Sequence, residues 1–470
     1  TATRVQVIGA SATILLLLVV LIQVFRTASD PTNSSAQYYV PAATTALAIF
    51  VLAFGIPALI RAYSIGTSRL LPWLIGLASL ALAFVPWLLL SIGNTSVASW
   101  MYIGTHVPQG QIRFWDLSLV LQSIDCDKWG FDVFVANNGC LTDAAIYGPG
   151  MLWLNKVPAS LFSASHLQAL GVIAMVVSSL ALVWLARFSA STGRFVMLAA
   201  ALGAPWLLLL ERGNIDAIVL WVAVLVVIGV RRWDRLWMWF VAAGAIWVVG
   251  TWKYYPFALG LMLLPALRLR RGWTVLVAFA LGTSVYMLTT WSNFRFSSES
   301  NSNMVNIGDT VVLGRIPLVA RMIGTQVGEA GIQTGDVLVV LVALAALVWG
   351  IGFGLTLRQV RVHASMLAIG GSSIYLAAVL VAGFGWGYKA VFLLLCVPLI
   401  ALASPRTRIL AFSSVAVLIL IGIQSVVVWN TLLASSAGII AASFALGAAG
   451  AQLARMCVQL RRNRDTLIAR

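Results

Sequence analysis

Apolar positions along this chain come in long continuous runs, not in the period-two alternation of barrel strands, so the pattern predicts helices throughout. The runs fall at roughly 8–25, 42–61, 71–92, 165–187, 195–210, 216–230, 236–251, 256–267, 273–290, 336–357, 364–384, 390–403, 409–429 and 434–455. Most approach the ~17–25 residues that cross a bilayer as a helix, although 256–267 is short for a crossing. The expected fold is therefore all-α and polytopic, with about 14 transmembrane helices in one integral-membrane domain covering residues 1–470. Two long polar-to-mixed connections interrupt the runs, at about 93–164 and 291–335. Within the first, Phe114, Leu117, Val120, Leu121 and Ile124 recur at three- and four-residue spacing, which predicts an amphipathic helix. Trp115 and Trp129 suit a membrane interface, and "MLWLNKVPASLF" reads as a further interfacial segment.

Composition agrees with the pattern: 61% of the 470 residues are hydrophobic and 9% charged, against about 25% charged in soluble domains. The net charge of +16 changes the picture only through its placement. Arginines gather in alternate connections (Arg61 and Arg69; Arg187 and Arg194; Arg231, Arg232 and Arg235; Arg268, Arg270 and Arg271; Arg358 and Arg361; Arg406 and Arg408) and in the tail from Arg455 to Arg470. The positive-inside rule makes these cytoplasmic, together with both termini. The basic balance is a topology signal, and a nucleic-acid partner is excluded. The Arg-rich, Lys-poor, Ala-rich composition fits a GC-rich bacterial genome, hence a multi-pass protein of the cytoplasmic membrane. The first run, followed by "IQVFRTASD", reads as an anchor and not as a cleavable leader.

Nearly all acidic residues and all four lysines, Lys128, Lys156, Lys253 and Lys389, fall on the outer side of this topology. Cys126 and Cys140 share the first outer loop, where an oxidising compartment permits a disulfide but free thiols are equally compatible with the sequence. The candidate chemistry is there too: Asp116 in "RFWDLSLVLQ", "IYGPG" with Tyr147 and Pro149, "ERGNID" with Glu211, Arg212, Asn214 and Asp216, "WKYYP" with Lys253, Tyr254 and Tyr255, and "GFGWGYK" with Lys389. Ionisable groups at a membrane edge are costly and often functional. Cations beside aromatics suit the phosphate of a lipid-borne donor, with Lys253, Arg212 and Lys389 as its ligands. Each has an ordinary reading as well: a Glu–Arg pair closing a helical hairpin, or lysines snorkelling beside interfacial rings. Asp116, the candidate base, is equally a first-turn charge favoured by the helix dipole. Asp125 and Asp127 form D-x-D, which a divalent cation can use, but a solvated loop accounts for them as well. No His/Cys metal spacing, phosphate loop or nucleophile elbow is present, so no cofactor or metal is expected.

The ordered set, an outer-loop Asp116, then "DVF…IYGPGMLWL", then "ERGNID…WKYYPFALGLMLLPAL", resembles the C-type integral-membrane glycosyltransferases. The likeness is to the bacterial branch of polyprenyl-phosphate-mannose-dependent α-mannosyltransferases and covers mainly residues 113–267. The resemblance implies transfer of mannose or another sugar from a polyprenyl-phosphate donor to a glycolipid or polysaccharide acceptor at the outer membrane face. It makes Asp116 the catalytic base, and Asn214, Asp216, Lys253, Tyr147 and Pro149 residues of the cavity. Two departures stand out: Gly148 replaces the first proline of the family's turn, and two extra spans precede the catalytic loop. A glycan polymerase or ligase acting on lipid-diphosphate glycans, with Arg315 and Arg321, is the rival reading; a lipid-linked-glycan transporter is another.

Overall fold

In the computed structural model the described residues are 70–93, 114–135, 138–141, 145, 147–157, 161–189, 191–201, 204–294, 334–357, 361–378, 387–402 and 431–468. They are helical with no strand among them. The expected spans 8–25, 42–61 and 409–429, Arg315 and Arg321, and nearly all of the 291–335 loop lie outside them.

The elements that frame the site are α1 (Leu71–Ser91), α2 (Trp115–Lys128), α3 (Leu167–Phe188), α4 (Ser191–Ala201), α5 (Ala204–Arg212), α6 (Asp216–Arg232) and α7 (Leu236–Lys253). The rest are α8 (Trp273–Thr289), α9 (Thr334–Thr356), α10 (Val362–Leu376), α11 (Val397–Ile400) and α12 (Thr431–Ile468). Four 3-10 helices among the described residues, Pro149–Lys156, Ala164–His166, Tyr255–Arg268 and Gly387–Cys396, lie between them. Among the described residues four helices are long and apolar enough to cross a membrane, and five if α5 and α6 form one broken span. Many large apolar side chains are exposed on the outside of the bundle, including Leu180, Leu225, Leu281 and Leu288, as a lipid-facing surface requires.

Two expectations change. The run 195–210 is not one helix: α4 and α5 are short, and α5 meets α6 at a bend of 115°. The run 256–267 is a 3-10 helix, with Pro256 in its first turn and Pro265 within it. At roughly 2.0 Å per residue its 14 residues extend about 28 Å, near the ~30 Å of a bilayer core. The expected span 434–455 continues as one helix to Ile468.

Small residues bring helices close. Any side chain at Gly350 or Gly354 of α9 would strike the backbone of α12 at Phe444 or Ala448, the close approach that small residues permit in membrane bundles. α10 packs against α12 and against the 3-10 helices 255–268 and 387–396. That contact holds Lys389 in the interior, 2% exposed. In α2 the amphipathic face is buried as the spacing predicts: Phe114, Val120, Leu121 and Ile124 are inside, and Trp115 and Trp129 are exposed.

Candidate functional site

Three irregular backbone positions aim the polar side chains. Phe114, just before α2, has φ 55°, ψ 40°, and its N–H donates to the Glu211 carbonyl at 3.1 Å. Its ring lies against Gly171 of α3, where even a methyl group would collide with it. Gly213, between α5 and α6, has φ 59° and faces Phe114 and Leu117. Tyr254, at the end of α7, has φ 60°, ψ −58°, a sparsely populated conformation for a residue with a side chain. Each residue lies within two positions of a polar residue of the site: Asp116 follows Phe114 by two positions, Asn214 follows Gly213, and Tyr254 separates Lys253 from Tyr255. Such strain persists where surrounding packing holds it, and it gathers at functional sites.

The side chains form one buried network. Asp116 accepts from Asn214 Nδ2 on Oδ2 and from Arg212 at 3.4 Å on Oδ1. Asn214 Oδ1 accepts from Lys253 Nζ at 2.8 Å and from the Asp216 amide at 2.9 Å. Asp216 receives Lys253 Nζ at 3.0 Å and the Tyr255 hydroxyl on one oxygen, and Lys389 Nζ on the other. The Lys389 ammonium also donates to the Tyr255 hydroxyl at 2.6 Å. Asp216 is 0% exposed, Lys389 2%, Lys253 6% and Asp116 7%. Asn214 is the joint, because its amide alone can donate to one carboxylate while accepting from a cation.

The "IYGPG" turn closes over this network. The Gly148 amide donates to the Trp252 carbonyl at 2.7 Å, and the Gly150 amide to the Tyr286 hydroxyl at 3.2 Å. The Tyr286 hydroxyl in turn donates to the Thr251 carbonyl at 2.8 Å. A side chain at Gly148 or Gly150 would occupy the position of Thr251, so glycine at 148 permits the approach of this turn to α7. The Tyr147 ring consequently lies 5.2 Å from Lys253 Nζ. Burial, and after it the Asp116 and Asp216 carboxylates, push the Tyr147 hydroxyl well above the ordinary phenol range.

The structure thus brings together Asp116, Arg212, Asn214, Asp216, Lys253, Tyr255, Lys389 and Tyr147 from five separate stretches of chain. Pro149 begins the 3-10 helix behind Tyr147. Glu211 is buried and contributes its carbonyl to Phe114. Tyr254 belongs to a different cluster, its ring packing on Tyr286 and Phe294 at centroid separations of 6.0 and 5.2 Å. Arg212 reaches Asp116, across 96 positions of sequence. Thr251 and Tyr286 escaped the sequence reading, and Phe114 was legible only as part of the apolar face of α2; the one available signal for the others was a tyrosine inside the apolar run 273–290.

Cys126 and Cys140 are joined by a disulfide, with their Cα atoms 5.9 Å apart. Asp125 and Asp127 lie in the last turn of α2, not in a loop, and serve different partners. Asp125 Oδ2 accepts from Ser163 Oγ at 3.1 Å and the Ala164 amide at 2.9 Å; Asp127 Oδ2 accepts from Asn155 Nδ2 at 3.0 Å. Positions two apart on a helix diverge, so this pair ties two separate segments, the 3-10 helix at Asn155 and the chain at Ser163–Ala164, to α2. Among the described residues no group of three or more His, Cys, Asp or Glu gathers at ligand distance.

No protein-family model, curated protein or solved structure matches this chain.

Proposed function

We propose that the chain is an inverting membrane glycosyltransferase of the C type, moving a sugar from a polyprenyl-phosphate donor to a hydroxyl of a glycolipid or polysaccharide acceptor. The observation that supports it best is the continuous path Arg212–Asp116–Asn214–Lys253–Asp216–Lys389, a base and three cations held by one set of hydrogen bonds at one end of the bundle. A transporter instead favours ionisable groups near mid-span.

In this reading Asp116 is the general base. A carboxylate offers about four acceptor positions, and the two bonds from Asn214 and Arg212 orient it while leaving room for a substrate hydroxyl. Asp116 takes the hydroxyl proton as that oxygen bonds to the anomeric carbon. The bond from the anomeric carbon to the phosphate oxygen breaks on the opposite face, and the lipid phosphate leaves with the electron pair. One displacement inverts the centre. The donor phosphate rests against Arg212, whose side chain at 19% exposure is the most accessible site cation, with Lys253 behind it. Lys389, enclosed by Asp216 and Tyr255, acts chiefly by holding Asp216. The finer topology belongs to the same proposal: about 14 spans, both termini cytoplasmic, and the site on the outer face of a bacterial cytoplasmic membrane.

The test is transfer in membranes from synthetic polyprenyl-phosphate mannose, arabinose and glucose. At least one donor is expected to turn over with wild-type protein and none with Asp116→Asn, although that variant folds. Near-normal turnover by Asp116→Asn removes Asp116 as base; no turnover of any such donor by folded wild-type protein removes the reaction.

A further inference from the structure

A second basic site lies at the opposite end of the bundle. Gly171 and Asp216 mark the candidate-site ends of α3 and α6, and at 1.5 Å per residue Arg187 and Arg231 stand roughly 23 Å further along those helices. Between the two helices there opens a groove of about 510 Å³ lined by Trp184, Arg187, Phe188, Ile228, Arg231 and Arg232. The lining has three guanidinium groups and no carboxylate. The neighbouring Asp234 is engaged by Arg268 and by Trp239 Nε1 at 3.1 Å.

Aromatic rings set the guanidinium groups. The Arg187 group lies 4.9 Å from the Trp73 ring centre and 5.0 Å from that of Trp184, and the Arg231 group 5.9 Å from that of Phe188. Stacking on a ring fixes the guanidinium plane and leaves its N–H edge for a planar or tetrahedral oxyanion. All three arginines are exposed. Two apolar lanes lead from the middle of the bundle into this groove. On α3, Val177, Leu180 and Trp184 follow one another at three- and four-residue spacing. On α6, Ile218, Trp221, Leu225 and Ile228 do the same. The lanes are adjacent, since Trp221 Nε1 donates to the Val177 carbonyl.

We infer that this groove binds the phosphate headgroup of an anionic phospholipid from the leaflet opposite the candidate site, with its acyl chains along the α3–α6 lanes. A soluble phosphate would use the arginines but not the apolar lanes, and a zwitterionic lipid would bring its own cation among three guanidinium groups. The shape, basic at one end and apolar along its length, fits an anionic amphiphile. This assignment does not depend on the transfer reaction.

The experiment is native mass spectrometry of the full chain, with phosphatidylglycerol, phosphatidylcholine or inorganic phosphate added in turn. Wild-type protein is expected to retain phosphatidylglycerol in preference to phosphatidylcholine. Arg187→Gln/Arg231→Gln/Arg232→Gln is expected to weaken phosphatidylglycerol about tenfold or more, since each charge-assisted bond is worth more than one decade. The matching triple lysine variant keeps the charge that orients the chain but loses the forked donors, and a several-fold loss is expected there; it decides the matter if the glutamine variant does not fold. Equal retention of both lipids, unchanged phosphatidylglycerol affinity in the lysine variant, or displacement of the lipid by millimolar inorganic phosphate overturns the assignment.

Discussion

Replacing Asp216 by asparagine is the most direct probe of the buried network, because this one carboxylate satisfies three donors. Lys253 Nζ stands 3.0 Å from it, and Lys389 Nζ and the Tyr255 hydroxyl complete the set. At an effective dielectric near 20, unit charges ~3 Å apart attract by roughly 5–6 kcal/mol. Much of that offsets the cost of removing the charges from water, so its net worth is smaller. What Asp216→Asn changes is different: it leaves two ammonium groups in place, 6% and 2% exposed, with no full negative charge between them. Stranding a buried charge in this way costs ~3–5 kcal/mol. At about 2 °C per kcal/mol this is a fall in Tm of roughly 6–10 °C. Adding Lys389→Met removes one stranded charge and should recover most of the loss.

Cys396 supplies the assay. It is a buried free thiol in the 3-10 helix that carries Lys389, whereas Cys457 is exposed and Cys126 and Cys140 are bonded together. In a Cys457→Ser background, a thiol-reactive fluorogenic dye therefore reports the melting of that helix. Asp216→Asn with a Tm within a degree of wild type refutes the reasoning, as does a double variant no more stable than the single one.

Further expectations concern the elements around the network. Gly148→Ala presses a methyl group against the Thr251 carbonyl and should cost ~1–3 kcal/mol as an overpacking change, read as a lower Tm. Removing the Cys126–Cys140 bridge, which closes a separation of 14 positions, should loosen the 129–141 segment by about 3 kcal/mol, seen as faster limited proteolysis there. Tyr147 remains neutral across the assay range because burial and the nearby carboxylates raise it. Tyr147→Phe should therefore leave the shape of any pH–activity profile unchanged, and a lost alkaline limb would count against that. Its hydroxyl reaches the Asp116 carbonyl only at 3.5 Å, so the stability loss should stay below about 1 kcal/mol.

The helices themselves were legible in the linear pattern. Continuous apolar runs mark where α1, α3, α6, α7 and α8 lie, and the apolar spacing at 114–124 foretold both α2 and its buried face. Hydrophobicity alone did not reveal that 195–210 comprises two short helices, nor that 255–268 is wound as a 3-10 helix. Those outcomes depend on what each segment packs against and on proline within it.

For the site, sequence determined which residues are candidates, since charged groups beside long apolar runs are expensive and therefore few. It did not determine their pairing. The neighbours of Arg212 in sequence say nothing of Asp116, which the left-handed turn at Phe114 and the 115° bend at Gly213 bring across to Arg212 and Asn214. Lys389 lies 173 positions from its carboxylate, and no local rule connects the two. Periodicity and propensity act over a few residues, whereas a buried charge selects its partner by distance in the folded chain. Only the tertiary structure could assign Lys253 and Lys389 to Asp216 and leave Arg212 for Asp116.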